Sequence, residues 1–285
     1  MQLALYKTLW GHEGTLEEAL NEVRDAGWQG IEGPAPLERD ARNRMKSQLE
    51  ASGLAYIAEI TTAGSYVPER RATLDEHLES FEQKLDASME LNPQFITCLG
   101  ACDAWEENRS IEFFARAMEM AHDRGITVSF ETHRSRALFN PWVTRRIVEQ
   151  LPEIRLTCDF SHWCVVCERL MDTELDVIEF IAPHAHHIHA RVGYDQGPQV
   201  PHPAAPEYEY ALRAHQSWWE ILWQSQRDRG YTQTTMTPEF GPDGYLQHRP
   251  FTAEPVGDLK EINLWMGEEE CRHFARASMD ETQQA

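Results

Sequence analysis

No apolar run in this 285-residue chain approaches the roughly 18 residues that a membrane-spanning helix needs. The first stretch, "MQLALYKTLWGHEG", holds one lysine and an apolar segment too short and too broken for a secretion signal. The expected setting is therefore the cytoplasm, with no membrane partner. Positive charge is scarce: 26 Lys and Arg stand against 47 Asp and Glu, a formal net charge of −21. A field of that sign repels phosphate backbones and argues against nucleic acid as a partner. The six cysteines, Cys98, Cys102, Cys158, Cys164, Cys167 and Cys271, show no disulfide framework. The "CVVC" at 164–167 has apolar residues inside it and no second pair, so it reads as packing. No G-x-G-x-x-G or Walker-type loop follows any apolar run, which argues against a nucleotide cofactor. Linkers and low-complexity tracts are also missing. A single domain over 1–285 is expected, with a loose tail from about residue 275.

What the chain does have is one pattern used repeatedly. A short apolar, β-branched or aromatic run gives way to a polar loop, then to an amphipathic stretch closing near a glycine. The runs are "LALYKTLW", "GWQGIEG", "LAYIAEIT", "PQFITCLG", "ITVSFET", "IRLTCDF", "HHIHARV" and "TQTTMTPEF", the first reaching from Gln2 to about Trp10. "TLEEALNEVRDAG" opens on a threonine cap with an acidic first turn and stops at Gly27. "RSIEFFARAMEMAHDRG" and "AHQSWWEILWQSQRDRG" stop at Gly125 and Gly230. Eight alternating β and α units in a chain of this length predict a closed (β/α)₈ barrel, with an open doubly wound sheet as the other arrangement.

Barrels of this kind place their chemistry at the C-terminal ends of the strands. Four consecutive runs in the second half end in Glu131, Asp159, His189 and Glu239. Barrel closure would bring them to one rim. Three carboxylates and an imidazole make a hard, oxygen-rich set suited to one divalent ion, Mn²⁺ first, with Mg²⁺, Co²⁺ or Zn²⁺ as alternatives. Carboxylates so close raise one another's pKa, and a cation removes that repulsion. In "HAHHIHARV", His187 and His189 share a face, with His187 about 6–7 Å deeper in the barrel, so His189 is the better ligand. His184 and His186 read as bystanders. His162, three residues after Asp159, and Arg191, two after His189, are candidates for substrate oxygens. Trp10 and His12, at the mouth of the first strand, are candidates for the pocket wall. Glu32 ends the second strand in "GIEGP", and His133 follows Glu131 in "FETH".

This constellation resembles the xylose-isomerase-like (β/α)₈ barrels, which include sugar epimerases, hydroxypyruvate isomerases and endonuclease IV. It is carried by "FETH", "CDFSH", "HIHAR" and "TPEFGP", and it spans nearly the whole chain, with weaker motifs in the first half. Similarity to the ketose 3-epimerases implies Glu131, Asp159, His189 and Glu239 as ligands and His162 as a substrate contact. It also implies that Glu131 and Glu239 double as acid and base on a small sugar or keto-sugar, through an enediolate. The loop "ARVGYDQGPQVPHP" lacks those epimerases' G-E-x-N-R stretch, so substrate contacts there do not carry over. Endonuclease IV needs further histidines on the third and fourth strands, and "AEITTAGSY" and "CLGACDAW" have none. Two other functions stay open: β-elimination on a keto-sugar, inosose or 3-keto-glycoside, and a non-catalytic sugar-binding barrel. A homo-oligomer is left open as well.

Overall fold

A computed structural model describes residues 1–242 and 244–284, the last five of these as backbone alone. Eight strands, β1 (Gln2–Thr8), β2 (Gly30–Gly33), β3 (Ala55–Thr61), β4 (Ile96–Leu99), β5 (Val128–Glu131), β6 (Leu156–Cys158), β7 (Ala185–Ala190) and β8 (Gln233–Pro238), pair in chain order. Every pairing is parallel, and β1 closes on β8 with Leu3 opposite Thr234 and Leu5 opposite Met236. The expected (β/α)₈ barrel is the fold, and the open sheet is excluded.

Around it lie α1 (Leu16–Asp25), α2 (Arg39–Ser52), α3 (Leu74–Met89), α4 (Glu107–Asp123) and α5 (Pro141–Gln150). They are followed by α6 (Ser161–Cys167), α7 (Leu175–Ile181), α8 (Glu209–Asp228) and α9 (Leu259–Gln284). The threonine expected to start α1 does so through a capping box: Glu18 N–H donates to Thr15 Oγ1 and Thr15 N–H donates to Glu18. Thr73 and Glu76 repeat the device on α3. After β6 the chain makes two short helices where one was expected. β1 stops two residues early, at Thr8, because Trp10 N–H turns back onto Thr8 Oγ1 and Gly11 takes φ +77°.

The barrel interior is layered. Tyr6, Phe95 and His187 pack ring against ring near the floor, with centroids 6.4 Å (Tyr6–His187) and 5.3 Å (Phe95–His187) apart. On one side of the barrel the hydroxyls of Thr97, Ser129 and Thr157 meet, with Ser129 and Thr157 2.8 Å apart. The carboxylates stand at the rim. The larger apolar core lies between strands and helices, where Trp163, Trp218, Trp219 and Trp223 are fully buried.

One buried carboxyl sits far from the rim. Glu270 on α9 accepts from Gln216 Nε2 on α8 at 2.9 Å, and burial pushes its pKa up to about 8. The folded protein thus holds a proton that the unfolded chain releases near pH 4.5. Stability must fall as pH rises from that value towards 8. Glu270→Gln should melt with the wild type at pH 5 and several °C above it at pH 8, as read by thermal unfolding across pH. Parallel melting curves at both pH values would show that Glu270 does not titrate with folding.

Candidate active site

Glu131 is the last residue of β5, Asp159 follows β6, His189 lies in β7 and Glu239 follows β8. All four are buried, and one potential ligand atom from each lies within 4.8 Å of every other. His189 organises the set. Its Nε2 is 3.1 Å from Glu32 Oε1, while its Nδ1 is 3.1 Å from Glu239 Oε2 and 3.5 Å from Glu131 Oε1. That Nδ1 makes no hydrogen bond among the described residues. A buried, unpartnered imidazole nitrogen facing carboxylates is what a divalent-ion site offers, so the donor set fits an ion. Charge points the same way. Burial raises the pKa values of Glu131 and Asp159, and the neighbouring carboxylates raise them further.

Glu32, assigned no role in the sequence, proves central. Its Oε1 faces His189, and its Oε2 is 3.1 Å from His187 Nε2 and accepts from Thr237 Oγ1 at 2.5 Å. Burial would raise its pKa, but the two histidines hold it well below the usual carboxylate range. Held there, it fixes the ring orientation and tautomer of His189, as carboxylates behind ion-binding histidines do. The signal was present in "GIEGP", a carboxylate at a strand end. What was missing was the knowledge that β2 faces β7 across the barrel. Glu32→Gln should weaken Mn²⁺ binding about ten- to a hundredfold in calorimetric titration, without touching a ligand. Unchanged affinity would remove Glu32 from the site.

Arg191 is 1% exposed and bound on several sides. It donates to Asp159 Oδ2, to Ser161 Oγ at 3.0 Å, to the Glu239 carbonyl at 3.3 Å and to His162 Nε2 at 2.6 Å. The rings of Trp10 and Tyr245 flank its guanidinium at 5.5 and 4.8 Å. It borders the cavity, but its donors are largely spent on Asp159, Glu239, Ser161 and His162. His162, expected to touch substrate, is fully buried against Arg191 and packs at a tilt on His133 with centroids 4.0 Å apart. His133 is the imidazole that reaches the cavity wall. Glu131, His133 and His162 also lie close enough to share an ion. That set has one carboxylate, so the set with three balances a dication better.

The cavity above these groups holds about 370 Å³, and Trp10, Tyr66, Glu131, Glu239 and Tyr245 stand on its wall. Trp10, Tyr66 and Tyr245 form an aromatic rim, with Trp10 and Tyr245 edge to face at 4.9 Å. Gly241 makes room for it: a Cβ there would come within 2.0 Å of the Trp10 ring. His12 does not join the site. The turn at Gly11 swings it to an outer groove, where its Nε2 is 3.0 Å from the Thr15 carbonyl. Glu59, inside β3, was not anticipated either; it stands on the cavity wall, and burial together with Glu239, Glu32 and Glu131 pushes its pKa up to about 8.

A family model described as xylose isomerase-like TIM barrel matches residues 20–199. No curated protein matches the chain in sequence. Among solved structures, an L-ribulose 3-epimerase superposes with a TM-score of 0.68 at 14% identity, over 100% of this chain and 98% of that one. A xylose isomerase-like TIM barrel protein from Mycobacterium smegmatis in complex with magnesium gives 0.63 at 14% identity, over 95% and 97%. The probable 3-DHS dehydratase AsbF from Bacillus anthracis gives 0.57 at 12% identity, over 93% and 97%. At such identities the likeness is one of fold.

Proposed function

Since the chain belongs to the xylose isomerase-like TIM barrel family, we propose that it is a divalent-metal-dependent isomerase or epimerase of a small sugar or keto-sugar. The observation that carries this reading is the placement of two carboxylates. Glu131 and Glu239 reach one cavity from β5 and β8, three strands apart in the ring, and both stand beside the imidazole of His189. Two carboxyl groups on different sides of one bound carbon can take a proton from one face and return it to the other. The L-ribulose, D-allulose and D-psicose 3-epimerases that share the fold are named for such an inversion.

Each residue then has a task. Glu131, Asp159, His189 and Glu239 would hold the ion, which when bound supplies a Lewis acid to the substrate carbonyl. Glu32 keeps His189 oriented. Arg191 holds Asp159 by its side chain and lies 3.6 Å from the Glu239 carboxylate, whose backbone carbonyl it also binds. Trp10, Tyr66 and Tyr245 cover the reacting carbon and limit water. Mn²⁺ is the first choice of ion, and the substrate is a carbohydrate.

The test is a panel of ketoses, keto-acid sugars and 3-keto-glycosides incubated with protein and Mn²⁺ in D₂O and followed by NMR. New stereoisomers carrying deuterium at a single carbon are the expected result. Released water or aglycone would reassign the protein to β-elimination. Binding without exchange across the panel would leave a sugar-binding barrel, and absence of both would end the proposal.

A further inference from the structure

The loop that leaves β5, residues 132–136, is tied to the exits of four other strands. Thr132 Oγ1 donates to the Asp159 carbonyl and accepts from the Asp159 N–H, both at 2.8 Å, which fixes the exit of β6. The Arg134 guanidinium lies 4.8 Å from the ring centre of Tyr245, beyond β8. Arg136 reaches the other two. Fully buried, it donates to the carbonyls of Thr62 at 2.7 Å, of Ser65, and of Tyr66 at 3.1 Å, all beyond β3, and to that of Ala101 at 3.2 Å, beyond β4. A buried guanidinium is ordinarily met by a carboxylate. Here the partners are backbone oxygens and the Thr62 hydroxyl, and the charges of Glu131 and Asp103 act on it only through space.

The loop after β3 is wound around that guanidinium. Lys84 of α3 binds the carbonyl and hydroxyl of Thr61, where β3 ends. The chain then takes positive φ at Ala63 (45°) and Gly64 (129°), and Glu69 N–H closes it back onto the Ala63 carbonyl at 2.7 Å. The carbonyls of Thr62, Ser65 and Tyr66 turn inward to Arg136, while Tyr66 stands on the cavity wall, its ring 6.5 Å from Trp10 and 6.3 Å from Tyr245. We propose that Arg136 is a positioning residue, the template on which this loop winds, and that it acts by setting Tyr66 over the cavity. The hold on the loop stands on these contacts alone; its effect on turnover rests on the function proposed above. A guanidinium suits the task because its N–H groups are coplanar and point in fixed directions, whereas an ammonium carries the same charge without that geometry. Without it the carbonyls are left to water and the loop loses its shape, while the barrel beneath keeps its ladders.

Fluorine NMR of protein labelled with 3-fluorotyrosine tests this without a substrate, the Tyr66 signal being the one lost in Tyr66→Phe. In the wild type that signal should lie away from the position of free 3-fluorotyrosine, because the ring is packed among aromatic neighbours. Arg136→Met should move it to the free position and leave the signals of Tyr6 and Tyr56, inside the barrel, unchanged. Amide hydrogen exchange over residues 62–72 should quicken about tenfold or more in the same variant, the scale of one or two net hydrogen bonds. Arg136→Lys should fall between the two, since it keeps the charge and loses the plane. Mn²⁺ affinity should stay within about twofold throughout, as Arg136 bonds to none of the four proposed ligands. With any ketose that turns over, Tyr66→Ala and Arg136→Met should each lower kcat/KM, and the double variant should be no worse than the poorer single one. An unmoved Tyr66 signal, unchanged exchange over 62–72, a shift of all tyrosine signals together, full rescue by lysine, losses that multiply in the double variant, or failure of both Arg136 variants to fold would each overturn the role. Deuterium incorporation in the ketose panel judges the parent reading separately, so either can fail alone.

Discussion

Glu131→Gln and Glu239→Gln should each lower turnover at least a hundredfold, the usual contribution of a positioned acid or base. The two residues also belong to the proposed ion-ligand set, so a rate loss alone would not separate chemistry from ion loss. Isotope exchange does. In D₂O the wild type should place deuterium at the reacting carbon, and neither variant should do so even at Mn²⁺ concentrations that refill the site. Glutamine keeps the shape and one ligand oxygen but takes no proton near neutral pH. Wild-type exchange in both refilled variants would make the glutamates ligands only and place the acid and base elsewhere, with His133 the next group on the wall.

Arg191→Met should give the largest change in stability. The guanidinium is buried against Asp159 and lies 3.6 Å from Glu239 Oε2. Removing one partner of a buried ion pair costs about 3–5 kcal/mol, because the other charge is left uncompensated. At roughly 2–4 °C per kcal/mol for a chain of this size, metal-free Arg191→Met should melt on the order of 10 °C below the wild type. Mn²⁺ should then raise the melting temperature of the variant more than that of the wild type, since the ion takes over the neutralisation that Arg191 provides. Equal shifts on adding Mn²⁺ would mean that Arg191 and the ion do not serve the same carboxylates.

The barrel was legible because strand and helix periods alternate cleanly and glycines mark the helix ends, as at Gly27, Gly125 and Gly230. The convergence of Glu131, Asp159, His189 and Glu239 was legible for a related reason: a carboxylate or histidine ending a buried strand has little structural use, and closure puts such ends together. Residues whose position depends on a turn were not. His12 follows Trp10 by two residues, yet after the left-handed turn at Gly11 only Trp10 still borders the cavity. The pairing of His162 with Arg191 depends on how α6 meets the segment after β7, which neither encodes alone. Glu59 was hidden inside "AYIAEIT", where attention to strand ends passed over an inward-facing residue. Lys84 lies on a helix whose amphipathic pattern marks it as solvated. Tyr245 sits in the loop after β8, with no periodicity to place it.

Glu32 stands on β2, whereas its partners His187, His189 and Thr237 stand on β7 and β8. It is a cross-tie between the two halves of the chain. The half that carries all four proposed ion ligands does not set the orientation of its own imidazole; Glu32, from the half that carries none, does so. On the proposed function, drift in the N-terminal half would reach ion retention without altering a ligand, and selection for a different ion would have targets on β2 as well as at the rim. If the barrel were cut between β4 and β5 and the fragments mixed, recovery of tight ion binding would report that the halves had closed in register.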